Sequence, residues 1–321
     1  MTKVKTALAS ESRLKRAADR RALGPLSSLL INARTLKRYT TALQIFFQWT
    51  LAERISLEVT EWELDEICGR FIDVCWQEGE AKGVAGDVLS ALQHRIPSLK
   101  RNLNGSWRLF TAWNRHEMPS RAPPLPEFVA LAIAGVLHAW QRTDAALLVA
   151  LAFYGFMRTG EMCTLIRGQM EFAIDLSFVV LFLPDSKGAQ RKGAPESILI
   201  RHSPLARCLK ALLRNLLPGD RLAQREPAQF RVLFQAACVE LGIGDFGYKP
   251  YSLRRGGASH HFRLGGNLSQ TSEMGRWSDV RTARIYVTSA VQELNASLLP
   301  AQHKAVSERW AAFWNAFVDT F

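Results

Sequence analysis

Between residues 249 and 286 the sequence concentrates side chains suited to phosphate chemistry. Arg254, Arg255, Arg276 and Trp277 precede Tyr286 in this segment. Guanidinium groups match paired phosphate oxygens and neutralise the charge that develops when a phosphodiester is attacked. A tyrosine hydroxyl, with a reference pKa of about 10, becomes a useful nucleophile only where positive charge or a base assists proton loss. The segment therefore predicts a phosphate site with Tyr286 as its candidate nucleophile.

Short motifs in the chain resemble those of a known enzyme family. Residues 251–254 are similar to the His-x-x-Arg box of the tyrosine recombinases (the phage-integrase family), with Tyr251 in place of the histidine. Residues 275–278, with Trp277 nine positions before Tyr286, resemble the His/Trp box and the nucleophile. A phenol donates a hydrogen bond to phosphate but is a poor base, so Tyr251 is expected to keep a positioning role.

Two earlier stretches complete the family's order of motifs. Residues 154–161, YGFMRTGE, resemble its first arginine box, with Arg158 as the arginine and Glu161 as its candidate partner. Residues 178–184 and 197–200 read as strands around a turn, which places Lys187 where the family has a hairpin lysine. Lys192 is the reserve candidate. The resemblance covers about the last two thirds of the chain.

The resemblance implies covalent breaking and rejoining of DNA, as in a site-specific recombinase or integrase. Tyr286 would form a 3′-phosphotyrosyl bond and release a 5′ hydroxyl, while Arg158 and Arg254 neutralise the transition state. The ester conserves the bond energy, so no metal or other cofactor is expected. The other predicted catalytic residues are Trp277 and Tyr251, which would hydrogen-bond or buttress the phosphate, and Lys187, which would protonate the leaving oxygen.

Composition agrees with a DNA-binding protein of about two domains. The chain has 321 residues, 48% of them apolar, and its net charge of +12 favours polyanions such as double-stranded DNA. Uncharged apolar runs are too short for a membrane span or a secretory signal, so we expect no membrane partner and an intracellular location with DNA. That location would be the nucleus of a eukaryote or the cytoplasm or nucleoid of a bacterium. The five cysteines lack Cys-x-x-Cys spacing, which favours reduced core residues over a disulfide frame or zinc site.

The pattern of apolar residues predicts a mainly α fold with a small β-hairpin or sheet. Residues 1–117 read as helices, and in size and position they resemble the core-binding (SAM-like) DNA-binding domain of the tyrosine recombinases. Residues 118–126 contain four prolines and are predicted to be a linker. Residues 127–321 are then the catalytic domain.

Clusters of basic residues give candidate DNA contacts, although a solvated charged face is the commoner use of such runs. The first 50 residues hold ten basic and two acidic residues, and residues 90–115 contain no acidic residue. The candidates are Arg34, Lys37, Arg38, Lys100 and Arg101 in the N-terminal domain, with Arg255 and Arg276 in the catalytic domain.

The last helix carries an aromatic stripe that some surface must cover. The stripe consists of Trp310, Phe313, Trp314, Phe317 and Phe321. Packing on its own domain is one solution. In the tyrosine recombinases the C-terminal helix often docks on a neighbouring protomer, so the resemblance implies a homo-oligomer, a tetramer on DNA, formed through this helix.

Three other functions stay open at this point. A type IB topoisomerase uses the same covalent chemistry, and relaxation of supercoiled DNA without strand exchange would indicate it. The departure at Tyr251 also fits a catalytically impaired, DNA-binding descendant of a recombinase. In a helical interaction protein the arginines would only form ion pairs, and DNA binding would then lack the steep salt dependence of phosphate contacts.

Overall fold

The computed structural model describes residues 11–118, 120–184, 186, 188–189 and 193–321. Contacts within the chain divide it into two compact units, residues 1–120 and residues 121–321. Both units are mostly helical, and the second contains a small antiparallel sheet. The predicted fold class is therefore confirmed.

The first unit is built from amphipathic helices. They are α1 (Glu11–Leu23), α2 (Ala33–Ala52), α3 (Glu61–Gln77), α4 (Lys82–Arg95) and α5 (Asn104–His116). Helix α3 begins with a capping box, in which Thr60 and Glu63 satisfy each other's backbone N–H groups. The apolar faces of α2 to α5 form one core, which includes the fully buried Phe46 and Leu89.

The second unit surrounds two apolar helices. Its helices are α6 (Glu127–Ala139), α7 (Thr143–Tyr154), α8 (Thr159–Thr164), α9 (Ser203–Leu212), α10 (Pro227–Glu240), α11 (Pro250–Arg263), α12 (Leu268–Met274), α13 (Val280–Tyr286), α14 (Ser289–Leu298) and α15 (Ala301–Asp319). Every residue from 129 to 137 in α6 and from 145 to 153 in α7 is buried, as their continuous apolar sequence predicts. These two helices form the centre of the larger core.

A three-stranded antiparallel sheet lies at one side of this core, in the order β1 (Met170–Phe172), β2 (Val179–Leu183) and β3 (Glu196–Ile200). Val179 pairs with Ile200, and Leu183 pairs with Glu196. The predicted hairpin of β2 and β3 is therefore present, while β1 was not predicted. Alternate residues of β3 face inward, so Glu196 lies on the same buried face as Ile198 and Ile200.

Helix α11 packs unusually close to the neighbouring backbone, because two of its residues at these contacts are glycines. A Cβ atom on Gly257 would collide with the backbone carbonyl of Phe153, and one on Gly256 with that of Leu125. The close contact with α7 sets the depth at which α11 carries Arg254. Leu125 is fully buried, so the second half of the predicted linker packs on this unit.

The aromatic stripe of α15 packs on α6 of the same chain. Trp314 and Val318 are buried, and Phe317 stacks on His138 with ring centroids 3.8 Å apart. Phe313 and Phe321 stay exposed. In this structure the aromatic stripe of α15 therefore packs on its own domain. Docking of α15 on a neighbouring protomer stays a prediction.

All five cysteines are buried and unpaired, as expected of reduced core residues. Burial raises the pKa of the Cys68 thiol to about 12 and that of Cys163 to about 11, which keeps both protonated. In the part of the chain that the structure describes, no group of three or more histidines, cysteines and carboxylates is placed to hold a metal ion. The helices described are also too short or too polar to cross a bilayer.

Replacing Gly257 by alanine should push α11 away from α7. We expect Gly257→Ala to lower the free energy of unfolding by about 1–3 kcal/mol, the usual range for overpacking a core. Urea denaturation measures this effect. Gly160→Ala is the matched control, because a Cβ there meets open space; equal stability of the two variants would contradict this account of the crossing.

Candidate active site

Five of the predicted catalytic residues come together in the second unit. Tyr251 and Arg254 lie on α11, Trp277 follows α12, Tyr286 ends α13, and Arg158 precedes α8. They are joined by hydrogen bonds, ring contacts and charge interactions that the following paragraphs describe. The predicted lysine, Lys187, and its reserve, Lys192, lie outside the described residues.

Tyr286 is held through both its ring and its hydroxyl. Its ring stacks on that of Trp277, with centroids 4.4 Å apart and an interplanar angle of 29°. Its hydroxyl is hydrogen-bonded to the hydroxyl of Tyr251. The backbone carbonyl of Tyr286 accepts a bond from the Ser259 hydroxyl, 3.2 Å away. The candidate nucleophile is therefore fixed against α11 before any substrate is present.

Tyr251 has the properties of a hydrogen-bond donor. Burial raises the pKa of its phenol, the bond to Tyr286 raises it further, and the charges of Arg254 and Arg158 offset only part of this rise. The phenol is therefore protonated at neutral pH and cannot act as a base. Its side chain is 39% exposed, so the hydroxyl lies at the open side of the site.

Arg254 is fully buried and holds the site together. Its Nη1 donates to the carbonyl of Phe156, and its Nη2 donates to the carbonyl of Gly275 over 2.6 Å. The guanidinium carbon lies 4.9 Å from the ring centroid of Trp277 and 5.6 Å from that of Tyr286. Burial, together with the charges of Arg158 and Arg276, lowers the pKa of Arg254 to about 10, so it remains charged at neutral pH.

Arg158 forms a salt bridge with Glu161, its predicted partner. Glu161 accepts one bond from the backbone N–H of Arg158 at 2.8 Å and another from its Nη1 at 2.5 Å. The side chain of Arg158 is 34% exposed, whereas that of Glu161 is 9% exposed. The guanidinium therefore keeps an open side toward solvent, where a phosphate could approach.

Two buried N–H groups, on residues that contact the Tyr286 ring, have no hydrogen-bond partner within the described ranges. They are Nε of Arg254 and Nε1 of Trp277. Buried donors are normally satisfied, because leaving one unpaired costs about 1–3 kcal/mol. Unpaired donors beside a stacked tyrosine and two arginines form an arrangement that an anion would complete.

The two arginines predicted to bind DNA in this unit are instead buried. Arg255 donates to the carbonyls of Ala122 and Ile285, which ties α11 to the segment before α6 and to α13. Arg276 lies inside, where it donates to Glu161 and approaches Glu196. The alternation of Glu196 with Ile198 and Ile200 is the only sequence signal that could have placed this glutamate inside the fold.

The candidates in the first unit lie on its surface. Arg34, Lys37, Lys100 and Arg101 are exposed. Arg38 is exposed as well, but its guanidinium forms a salt bridge with Asp87. Four of the five basic side chains are therefore exposed and free of salt bridges within the described residues.

Comparison with known proteins identifies the fold. A transposon Tn1549 integrase in complex with transposon right-end DNA is similar with a TM-score of 0.58 and 10% identity, over 88% of this chain and 98% of that one. A lambda integrase dimer bound to a COC′ core site gives 0.55 and 14%, over 90% and 84% of the two chains. The XerH site-specific recombinase bound to palindromic difH substrate gives 0.54 and 15%, over 81% and 78%.

The chain has the tyrosine-recombinase fold. Neither a protein-family model nor a curated protein matches its sequence. The order of the sequence motifs and the similarity to the solved structures both indicate this fold.

The charge of Glu161 should make the site sensitive to acid. Burial raises the pKa of this carboxyl, but the charges of Arg276 and Arg158 and the bonds from Arg158 outweigh burial and lower it. In the folded protein the pKa of Glu161 lies below the ordinary value of 4.5. The ionised carboxylate therefore stabilises the fold fully above that pH, and this stabilisation is lost as the pH falls through the folded pKa.

We expect Glu161→Gln to lower the free energy of unfolding by about 1–3 kcal/mol at neutral pH, with a smaller difference from wild type in acid. Urea denaturation at neutral pH and well below pH 4.5 measures both values. Glu240→Gln, at an exposed position, is the control. A difference between Glu161→Gln and wild type that grows in acid would contradict this reading.

Proposed function

We propose that the chain is a tyrosine recombinase, a site-specific recombinase or integrase that cuts and rejoins double-stranded DNA through a 3′-phosphotyrosyl intermediate. The observation that carries this proposal is the position of Tyr286, stacked on Trp277, beside the guanidinium of Arg254 and hydrogen-bonded to Tyr251, which the charge of Arg158 also reaches. The recombinase fold supports it.

In the cleavage step the Tyr286 phenol loses its proton to solvent, its oxygen attacks phosphorus, and the bond from phosphorus to the 5′ oxygen breaks. Arg158 and Arg254 neutralise the charge on the non-bridging oxygens, and the unpaired Nε1 of Trp277 donates to one of them. The Tyr251 hydroxyl moves its hydrogen bond from Tyr286 to the phosphate as the nucleophile is consumed. Lys187 supplies the proton to the leaving oxygen. Attack by a 5′ hydroxyl on the ester reverses these steps, so rejoining requires no external energy.

The first unit is proposed to hold the duplex by its phosphates. Its exposed basic residues, Arg34, Lys37, Lys100 and Arg101, supply positive charge for phosphate contacts. Strand exchange needs more than one active site, so we propose assembly of a homo-oligomer, a tetramer on DNA. The exposed Phe313 and Phe321 of α15 are candidate contacts between protomers. We propose that such an enzyme acts in the cellular compartment that contains its target DNA.

Covalent trapping tests the proposal. The protein is incubated with duplexes that have randomised flanks around one 5′-bridging phosphorothiolate, whose sulfur leaving group does not rejoin efficiently. We expect a DNA strand attached to Tyr286, identified by peptide mass, and sequencing of the trapped strands gives the target site. Tyr286→Phe should remove the adduct while DNA binding remains.

The outcomes of trapping separate the alternative functions. An adduct together with plasmid relaxation and no strand exchange would indicate a topoisomerase. Salt-sensitive DNA binding without any adduct would refute catalysis and indicate a DNA-binding descendant. Restoring histidine at Tyr251 would then be the first change to try, because it introduces a group that accepts a proton near neutral pH.

Removing a transition-state arginine should slow cleavage far more than it weakens binding. We expect Arg158→Ala to lower the single-turnover cleavage rate by about 100-fold to 1,000-fold, the usual loss for one preorganised donor. Arg254→Lys is the better variant at the second position, because alanine would also leave the carbonyls of Phe156 and Gly275 unpaired. Arg225→Ala, which breaks an ion pair with Asp144, is the control. Cleavage by Arg158→Ala at the control rate would remove Arg158 from the mechanism.

A further inference from the structure

Arg276 has an uncommon backbone conformation directly before Trp277. Its φ angle is 57°, in the left-handed region that residues with a side chain rarely adopt. Its side chain is only 4% exposed. A strained residue that directs a charged side chain into the protein interior is retained only where the surrounding contacts compensate.

Arg276 contacts two carboxylates, the buried Glu196 and Glu161, whose side chain is 9% exposed. Its Nη2 donates to Oε2 of Glu161 at 2.8 Å, and its Nε lies 3.7 Å from Oε2 of Glu196. Glu196 also accepts a bond from the Ser186 hydroxyl at 2.7 Å. Arg276 therefore joins the start of β3 to the turn that carries Arg158, and its position inside the unit leaves it unable to serve as a surface contact for DNA.

Glu161 is shared between two arginines. One carboxylate oxygen binds Nη1 of Arg158, and the other binds the backbone N–H of Arg158 and Nη2 of Arg276. Without Arg276, the full negative charge of Glu161 would act on Arg158 alone. The field of Arg158 at its open side, where the phosphate approaches, would then be weaker.

We propose that Arg276 is a positioning residue that balances the charge of Glu161, so that Glu161 orients Arg158 without neutralising it. This inference rests on the proposed function, because it assigns Arg158 to the scissile phosphate. Arg276 itself does not touch the substrate. Its effect reaches the reaction through Glu161 and Arg158.

The test compares two forms of the duplex selected by trapping. One has the natural scissile phosphate, and the other has a methylphosphonate there, in which a methyl group replaces one non-bridging oxygen and removes the charge that Arg158 counters. Single-turnover cleavage is measured for wild type, Arg276→Ala, Arg276→Lys and the double variant Arg276→Ala/Glu161→Gln. Arg225→Ala is the matched control for a lost ion pair. DNA affinity and thermal stability are measured for each variant.

We expect Arg276→Ala to cleave the natural phosphate about 10-fold to 100-fold more slowly than wild type, as when a residue that orients a reacting group is lost. The loss should shrink to less than about 3-fold on the methylphosphonate, since the charge to be neutralised is absent. DNA affinity should be unchanged. Adding Glu161→Gln should recover part of the rate, because it removes the charge that Arg276 balanced.

Three results would overturn the inference: equal slowing on both substrates, a double variant slower than Arg276→Ala, or weaker DNA binding that accounts for the whole loss. If Arg276→Ala does not fold, Arg276→Lys decides. Lysine keeps the positive charge but lacks the paired N–H groups of a guanidinium. The cleavage rate of Arg276→Lys should therefore fall less than that of Arg276→Ala, and this loss must also disappear on the methylphosphonate. Failure of wild type to form any adduct would refute the proposed function. A normal adduct with full activity of Arg276→Ala would refute this inference alone.

Discussion

The buried guanidinium of Arg254 is the interaction on which the rest of the site depends. It joins the carbonyl of Phe156, after α7, to that of Gly275, after α12, and it lies against the rings of Trp277 and Tyr286. A buried charge is costly unless it is hydrogen-bonded, and two carbonyl oxygens offset part of that cost here. Since carbonyls accept bonds without cancelling the charge, Arg254 keeps its full positive charge for an anion.

Of the three arginines of the site only Arg158 is partly exposed, and the carboxylates lie on the inner side. Glu196 is buried, the side chain of Glu161 is 9% exposed, and each lies near Arg276. Three arginines this close would repel one another, which is one reason that the pKa of Arg254 is lowered. The carboxylates reduce that repulsion from the inner side and leave the outer side of Arg158 positive. A phosphate diester carries the complementary charge.

Close helix packing gives these groups a rigid support. Gly257 brings α11 against the end of α7, and Gly135 lets α15 approach α6 so closely that a Cβ there would meet the carbonyl of Trp310. Groups held on helices that cannot separate keep their relative positions, which a preorganised site requires. The same packing explains why the aromatic stripe of α15 belongs largely to the core of its own unit. Only its outer residues, Phe313 and Phe321, remain available to a partner.

The sequence by itself determined the features that depend on neighbours a few residues away. The helices, the β2–β3 hairpin and the Arg158–Glu161 pair were all predicted, because periodicity and turns act within about one or two turns of chain. The motif order around Tyr286 likewise indicated the recombinase fold. The short strand β1 escaped prediction, since three residues show no clear alternation.

Only the tertiary structure decided which charged residues face solvent. Arg255 and Arg276 looked like surface DNA contacts, yet Arg255 binds the carbonyl of Ala122, 133 positions away, and Arg276 binds Glu161, 115 positions away. The hydroxyl bond between Tyr251 and Tyr286 also joins residues far apart in sequence. An arginine has the same local pattern whether it is solvated or buried. Whether an arginine is buried depends on the hydrogen-bond acceptors that the folding of distant segments brings within reach of it.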